Sequence, residues 1–161
     1  MQNLINQEVE LTNSWALIQD DSADFSQQNI MIPAMYWLEN QELFSDRTDV
    51  SIWFSGDADL SLFKGKLTNI PVIGINFPAF ADGRGYSLAR LISEREDYKG
   101  ELRAIGDVLI DQLYFMKRCG FTTYLLKEGL SPKKAINYFE TFNAPYQLAA
   151  DIKEPLFRRK S

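Results

Sequence analysis

The 161-residue chain contains no histidine. That absence removes Ser-His-Asp and Cys-His nucleophilic catalysis and every histidine-ligated zinc site. Cys119 is the single cysteine, so an internal disulfide is impossible, which suits a reducing compartment. No apolar run approaches the ~20 residues that cross a bilayer, and no membrane partner is expected. The first ten residues, Met1-Gln-Asn-Leu-Ile-Asn-Gln-Glu-Val-Glu, have neither a basic n-region nor an apolar h-region. A cytoplasmic protein is the expectation. Basic residues are in deficit, 17 against 22 acidic, for a net charge of −5. Duplex nucleic acid is therefore not an expected ligand, because neutralising phosphates needs a basic footprint. The deficit lies at the front: from Met1 to Lys64 eleven acidic residues face two basic ones, Arg47 and Lys64. Such a stretch is a solvated surface or, alternatively, a docking face for a basic partner.

What is present fits one globular domain, with 45% hydrophobic and 24% charged residues. A chain of this length buries roughly 70% of its unfolded surface. After a polar leader over 1–13, expected to be loosely ordered, Trp15-Ala-Leu-Ile-Gln and Asn29-Ile-Met-Ile-Pro33 read as short strands. Ala34 to Phe44 reads as a helix with Met35, Leu38 and Phe44 inward. Val50 to Phe54 is the next strand, and Asp59 is placed to cap a short helix through Phe63. Trp37, Trp53 and Phe54 belong to the core, or to a partner contact if exposed. Pro71-Val-Ile-Gly-Ile-Asn-Phe77 has the pattern of a strand buried on both faces. A helix over about Tyr86–Arg95 follows, with Leu88, Leu91 and Ile92 as its buried stripe, and then a strand over Glu101–Ile105. Asp107 is placed to N-cap a helix running to Arg118, with Leu109, Leu113 and Met116 inward and Gly120 as its stop. Thr122–Leu126 is a strand, and Ser131-Pro132 opens a last helix ending near Phe142. The tail over 147–161 is expected to be loosely held. Strand and helix alternate at intervals of roughly 20 to 30 residues, which predicts a single α/β domain with a mostly parallel sheet. Too few units are present for a closed eight-unit barrel of ~250 residues, leaving an open three-layer sheet or a partial barrel.

In such sheets ligands bind beyond the carboxyl ends of the strands. Asp82, Gly83, Arg84, Gly85, Asp107 and Asn76 fall at or just past such ends. A glycine-flanked arginine near a helix N-terminus suits an anion: backbone amides can approach, helix N–H groups are unpaired, and the guanidinium is a fork of donors. Ser87, Arg90 and Arg103 are the further candidates for anion contact. Alternatively, Arg84 and Arg90 pair with Asp107 or Asp111 and hold two helices together. Gly83-Arg-Gly85 is no dinucleotide fingerprint, because the third glycine is missing at its offset. Asp107, Asp111, Tyr114 and Arg118 fall on one line of a helix, with Gln112 beside them, as supporting residues. Asp82 and Asp107 are the candidate acid–base pair. The alternative is that these two carboxylates hold a divalent cation through oxygen ligands; without a third carboxylate the pattern assigns no metal. Cys119 reads as a small buried apolar residue; its alternative, a redox thiol, is disfavoured at a helix C-terminus.

Three motifs in order, Phe80-Ala-Asp-Gly-Arg-Gly-Tyr-Ser-Leu-Ala-Arg90, Lys99-Gly-Glu-Leu-Arg-Ala-Ile-Gly-Asp107 and Asp111-Gln-Leu-Tyr-Phe-Met-Lys-Arg-Cys-Gly-Phe121, closely resemble the bacterial family of unknown function called DUF934. Weaker similarity runs from about Met31 through Trp53 to Tyr146. Members are commonly encoded beside an assimilatory sulfite or nitrite reductase and are often labelled oxidoreductases on that ground. The resemblance thus implies a role in sulfur assimilation, with the reductase or a small oxyanion as partner. Where members often have arginine, this chain has Ser93, and Glu96-Asp97 replaces a small or apolar pair.

Three readings follow. The first is an accessory protein of assimilatory sulfite reduction that binds an oxyanion or the reductase through the Asp82-Gly83-Arg84-Gly85 loop. The second is a small enzyme, an oxidoreductase or a metal-assisted one, using Asp82 and Asp107. The third is a module that only binds protein. No cofactor is assigned: the sequence has no nucleotide fingerprint, iron–sulfur cysteine set or haem ligand pair, so electrons would come from a partner or a flavin site without a motif.

Overall fold

A computed structural model describes residues 2–20, 24–78, 83–96 and 98–142. Eight strands form one sheet: β1 (Leu4–Ile5), β2 (Glu10–Leu11), β3 (Ala16–Leu17), β4 (Ile30–Pro33), β5 (Val50–Ser55), β6 (Val72–Phe77), β7 (Glu101–Gly106) and β8 (Thr123–Leu125). Five α-helices accompany them: α1 (Ala34–Glu39), α2 (Gln41–Phe44), α3 (Arg84–Glu94), α4 (Leu113–Arg118) and α5 (Pro132–Phe142). Strands β3 to β8 lie parallel and in sequence order, and β1 and β2 extend the β8 side antiparallel. A sequential order with right-handed crossovers puts every connecting helix on one face of the sheet. Of the two expected architectures, the partial barrel is the one adopted.

Chain connectivity requires the curl. β2 and β3 are the opposite edges of the sheet, yet only residues 12–15 join them. Laid flat, eight strands would separate those edges by roughly 34 Å at about 4.8 Å per strand. Five Cα steps reach at most about 18 Å. The sheet therefore bends until its edges approach, and residues 12–15 form a strap across the gap. Inside the curl, Leu4, Ile105 and Leu125 form a small core flanked by Leu11 and Trp53. The Trp53 indole N–H donates to the Ile18 carbonyl at 2.8 Å. On the outer face Ile52, Phe54, Ile73, Ile75, Phe77, Leu102, Ala104 and Tyr124 pack beneath the helices in the main core.

Several local expectations hold for local reasons. Asp59 accepts from the Ser61 amide at 3.1 Å and starts a 3-10 turn over Leu60–Phe63, with Phe63 buried. Ser131 accepts from the Lys134 amide at 3.3 Å, one residue before Pro132 opens α5. α4 ends in a Schellman pair: Phe121 N–H donates to the Met116 carbonyl and Gly120 N–H to that of Lys117, with Gly120 at φ +111°.

Others are corrected. The leader is not loose over its whole length, because Leu4 and Ile5 are buried as β1 against β8. The helix from Ala34 divides at Asn40, whose side-chain amide donates to the Tyr36 carbonyl at 2.9 Å. Met35 points outward at 46% exposure, while Tyr36, Trp37 and Leu38 pack on the core. The tail over 147–161 lies outside the described residues.

Candidate functional site

The carboxyl ends of the parallel strands form one rim of the curled sheet, and three of the turns beyond them adjoin there. β5 ends at Ser55, whose hydroxyl donates to Asp57 at 2.6 Å in the following turn. β6 ends at Phe77; beyond residues 79–82, Gly83 leads into α3. The β5 and β6 turns touch: a Cβ added at Gly56 would lie 3.2 Å from both the Arg84 Cβ and the Gly85 amide nitrogen. β7 ends at Gly106, and Asp107, half-buried, lies 3.8 Å from the Lys127 ammonium just past β8. Arg84 and Asp107 thus follow adjacent strands on the same rim, and Arg84 is exposed.

Asp82 lies outside the described residues. α3 begins at Arg84, two positions earlier than expected, so Arg84 is the helix's first residue and Gly83 its N-cap, with no side-chain cap. Gly85 is not a loop residue but a buried one inside the helix. A Cβ there would come within 2.6 Å of the Phe77 ring. That ring is itself held between Tyr86 and Phe121, at centroid distances of 5.1 and 5.8 Å. In an open helix position alanine would gain about 1 kcal/mol over glycine. Here the packed ring reverses the sign, and Gly85→Ala is expected to cost about 1–2 kcal/mol in urea denaturation. Gly83 has a negative φ, and no atom of the described residues lies within 4 Å of a virtual Cβ there.

Asp107 does not cap a helix. Its amide donates to the Phe77 carbonyl at 2.7 Å, and the Val108 carbonyl accepts from the Lys127 amide at 3.0 Å. These bonds hold residues 107–108 to the sheet's end, so helical structure waits for a 3-10 turn over Ile110–Gln112 and then α4. The predicted line Asp107–Asp111–Tyr114–Arg118 is therefore broken. Asp111 is exposed in the 3-10 turn, where its backbone carbonyl accepts from the Tyr138 hydroxyl at 2.9 Å. Gln112 is half-buried before α4, Tyr114 half-buried within it, and Arg118 exposed in its last turn, where the dipole favours a cation.

Arg103 is not at the rim. It lies mid-strand on the inner face, 4% exposed, its Nε and Nη2 donating to Glu101 Oε1 at 2.9 and 2.7 Å. Its Nη1 donates to Asn13 of the strap at 3.0 Å, and the Thr123 hydroxyl joins Glu101 Oε1 at 2.6 Å. Nor do Arg84 and Arg90 share a face, since six residues place them about 120° apart around the helix. Arg90 and Ser87 instead line a groove between α3 and α4, with the Arg90 Nη2 3.8 Å from the Cys119 sulfur. Cys119 is buried at 2% exposure, as a small apolar residue.

Lys127 and Gly56 escaped sequence reasoning. Lys127 follows β8 as Asp107 follows β7, and strand-end position was the available signal. Gly56 carried no signal, because its role depends on α3 packing against a separate turn. Among the described residues no group of three or more His, Cys, Asp or Glu side chains could hold a metal ion. No described helix is long and apolar enough to cross a membrane.

The family model described as a bacterial protein of unknown function, DUF934, matches residues 51–157, well over half of the chain, and the chain belongs to that family. The match begins in β5 and takes in all the rim turns just described. No curated protein and no solved structure matches the chain.

Proposed function

We propose that the protein is an accessory factor of assimilatory sulfite reduction that binds a small oxyanion, or the reductase itself, at the rim where β5, β6 and β7 end. One observation carries the reading: α3 opens on the carboxyl edge of β6 with an exposed arginine as its first residue, and no side chain among the described residues caps its N-terminus. First-turn N–H groups and the positive end of an 11-residue helix thus begin at the residue that carries a guanidinium, which supports the reading. Sulfite has no apolar bulk, so its recognition would rest on charge-assisted hydrogen bonds of this kind. Membership of DUF934 supports the setting through the reductase neighbourhood that the resemblance implies. Titration calorimetry with sulfite, sulfate and phosphate tests it. Saturable binding of at least one anion is expected, weakened about tenfold by Arg84→Ala, the loss of one charge-assisted contact. No heat from any of the three would remove the small-anion reading.

A further inference from the structure

The groove between α3 and α4 is distinct from the rim, and its chemistry differs. Its volume is about 510 Å³, and it is lined by Tyr86, Ser87, Arg90, Leu91, Phe115 and Cys119, together with Glu94 and Arg95. Small-molecule sites fall at about 300–1,000 Å³ and combine apolar and aromatic walls with a few polar groups. A bare oxyanion would occupy only a small part of this space and leave the ring-lined wall wet.

That wall is built. Tyr86 and Phe115 meet edge to face at 4.8 Å, and Phe77 backs Tyr86 from the core. Phe115 is 47% exposed, so its ring can be reached from the groove. Burial above all, and the Asp111 carboxylate nearby, push the Tyr86 phenol above its ordinary pKa. It therefore remains an O–H donor at neutral pH. Arg90 supplies the charge. Among the described residues the one hydrogen-bond acceptor recorded for its guanidinium is the Cys119 sulfur at 3.8 Å, a weak acceptor for a group with five N–H donors. The buried Arg103, by contrast, is satisfied by Glu101 and Asn13.

We propose that this groove is a binding site for an organic anion with a flat apolar body: the anionic group on Arg90 and Ser87, the ring against Tyr86 and Phe115. The site goes beyond the rim reading and does not depend on it, because Arg84 is not among the residues lining the groove.

Naphthalene-2-sulfonate and inorganic sulfate, titrated calorimetrically into the intact chain, provide the test. Saturable one-to-one binding of the aromatic sulfonate is expected, at least about tenfold tighter than any sulfate binding. Arg90→Gln should weaken it about tenfold by removing the charged contact. Phe115→Ala, at an exposed position where folding is not at stake, should weaken it several-fold. Arg84→Ala should leave it unchanged while reducing oxyanion binding at the rim, so failure of either site is visible separately. The proposal is overturned if the aromatic sulfonate binds no tighter than sulfate. It is also overturned if Arg90→Gln and Phe115→Ala both bind it as the parent chain does.

Discussion

Replacing Gly106 by alanine is expected to lower stability by about 3 kcal/mol. Two costs add. Gly106 sits at φ +90°, where a side chain loses about 1–2 kcal/mol against its neighbouring carbonyl. A Cβ there would also lie 2.4 Å from the Asn76 Oδ1 and 2.5 Å from the Phe77 carbonyl oxygen. The Asn76 amide can swing away, but the carbonyl is backbone and accepts the Asp107 N–H, so part of the clash must be absorbed by the sheet's end. Overpacking of this kind costs about 1–3 kcal/mol. Against a total of about 5–15 kcal/mol the loss is large, and a thermal midpoint about 6–12 °C lower should accompany it. The same substitution moves Asp107, so anion titration of whatever folded protein survives should also report a displaced rim. An unchanged melting temperature would mean that the turn after β7 is not the tight one described.

The second large effect is expected inside the curl. Glu101→Ala removes the acceptor of two Arg103 N–H groups and of the Thr123 hydroxyl at once. It leaves a guanidinium that is 4% exposed without its carboxylate. Breaking a buried pair in this way costs about 3–5 kcal/mol. Because the Glu101 side chain is itself 30% exposed and water can reach the vacated place, a smaller loss than that range, about 2–3 kcal/mol, is expected here. Replacing both partners, Glu101→Leu with Arg103→Met, should recover most of the loss, since no uncompensated charge remains. Urea denaturation of the single and double variants measures the difference. Arg103 also holds Asn13, so hydrogen exchange should quicken in the strap over residues 12–15 in the single variant. A single variant as stable as the parent would show that the pair does not tie the inner face together.

Much of the architecture could be read in advance because its causes are local. The strand at Val72–Phe77 is a continuous apolar run, α3 presents Leu88 and Ile92 on one buried face, and Asp59, Ser131 and Gly120 sit where caps and stops require those side chains. The candidate site was legible in position and less so in composition. Arg84 and Asp107 could be assigned to strand ends from chain order alone. Arg103 could not be separated from them: alternation puts it opposite Leu102 and Ala104, but only the curl makes its own side an enclosed interior. The same holds for Arg90, whose helical position was predictable and whose neighbours across the groove, Phe115 and Cys119, belong to another helix.

By itself the sequence determined which chemistries are open to this protein, by lacking histidine and holding one cysteine, and it determined the alternation of strand and helix. Those are properties of residue type and of spacing along a few turns, so neighbours in the chain suffice to set them. Tertiary structure alone decided that residues 12–15 pull the sheet's edges together, that Asp107 bonds to the sheet's end and not to a helix, and that Arg84 lies beside the turn after β5 while Arg90 lies in a groove with Phe115 and Cys119. Each of these depends on a contact between segments far apart in sequence, where the geometry of closure, and not local preference, selects the partner.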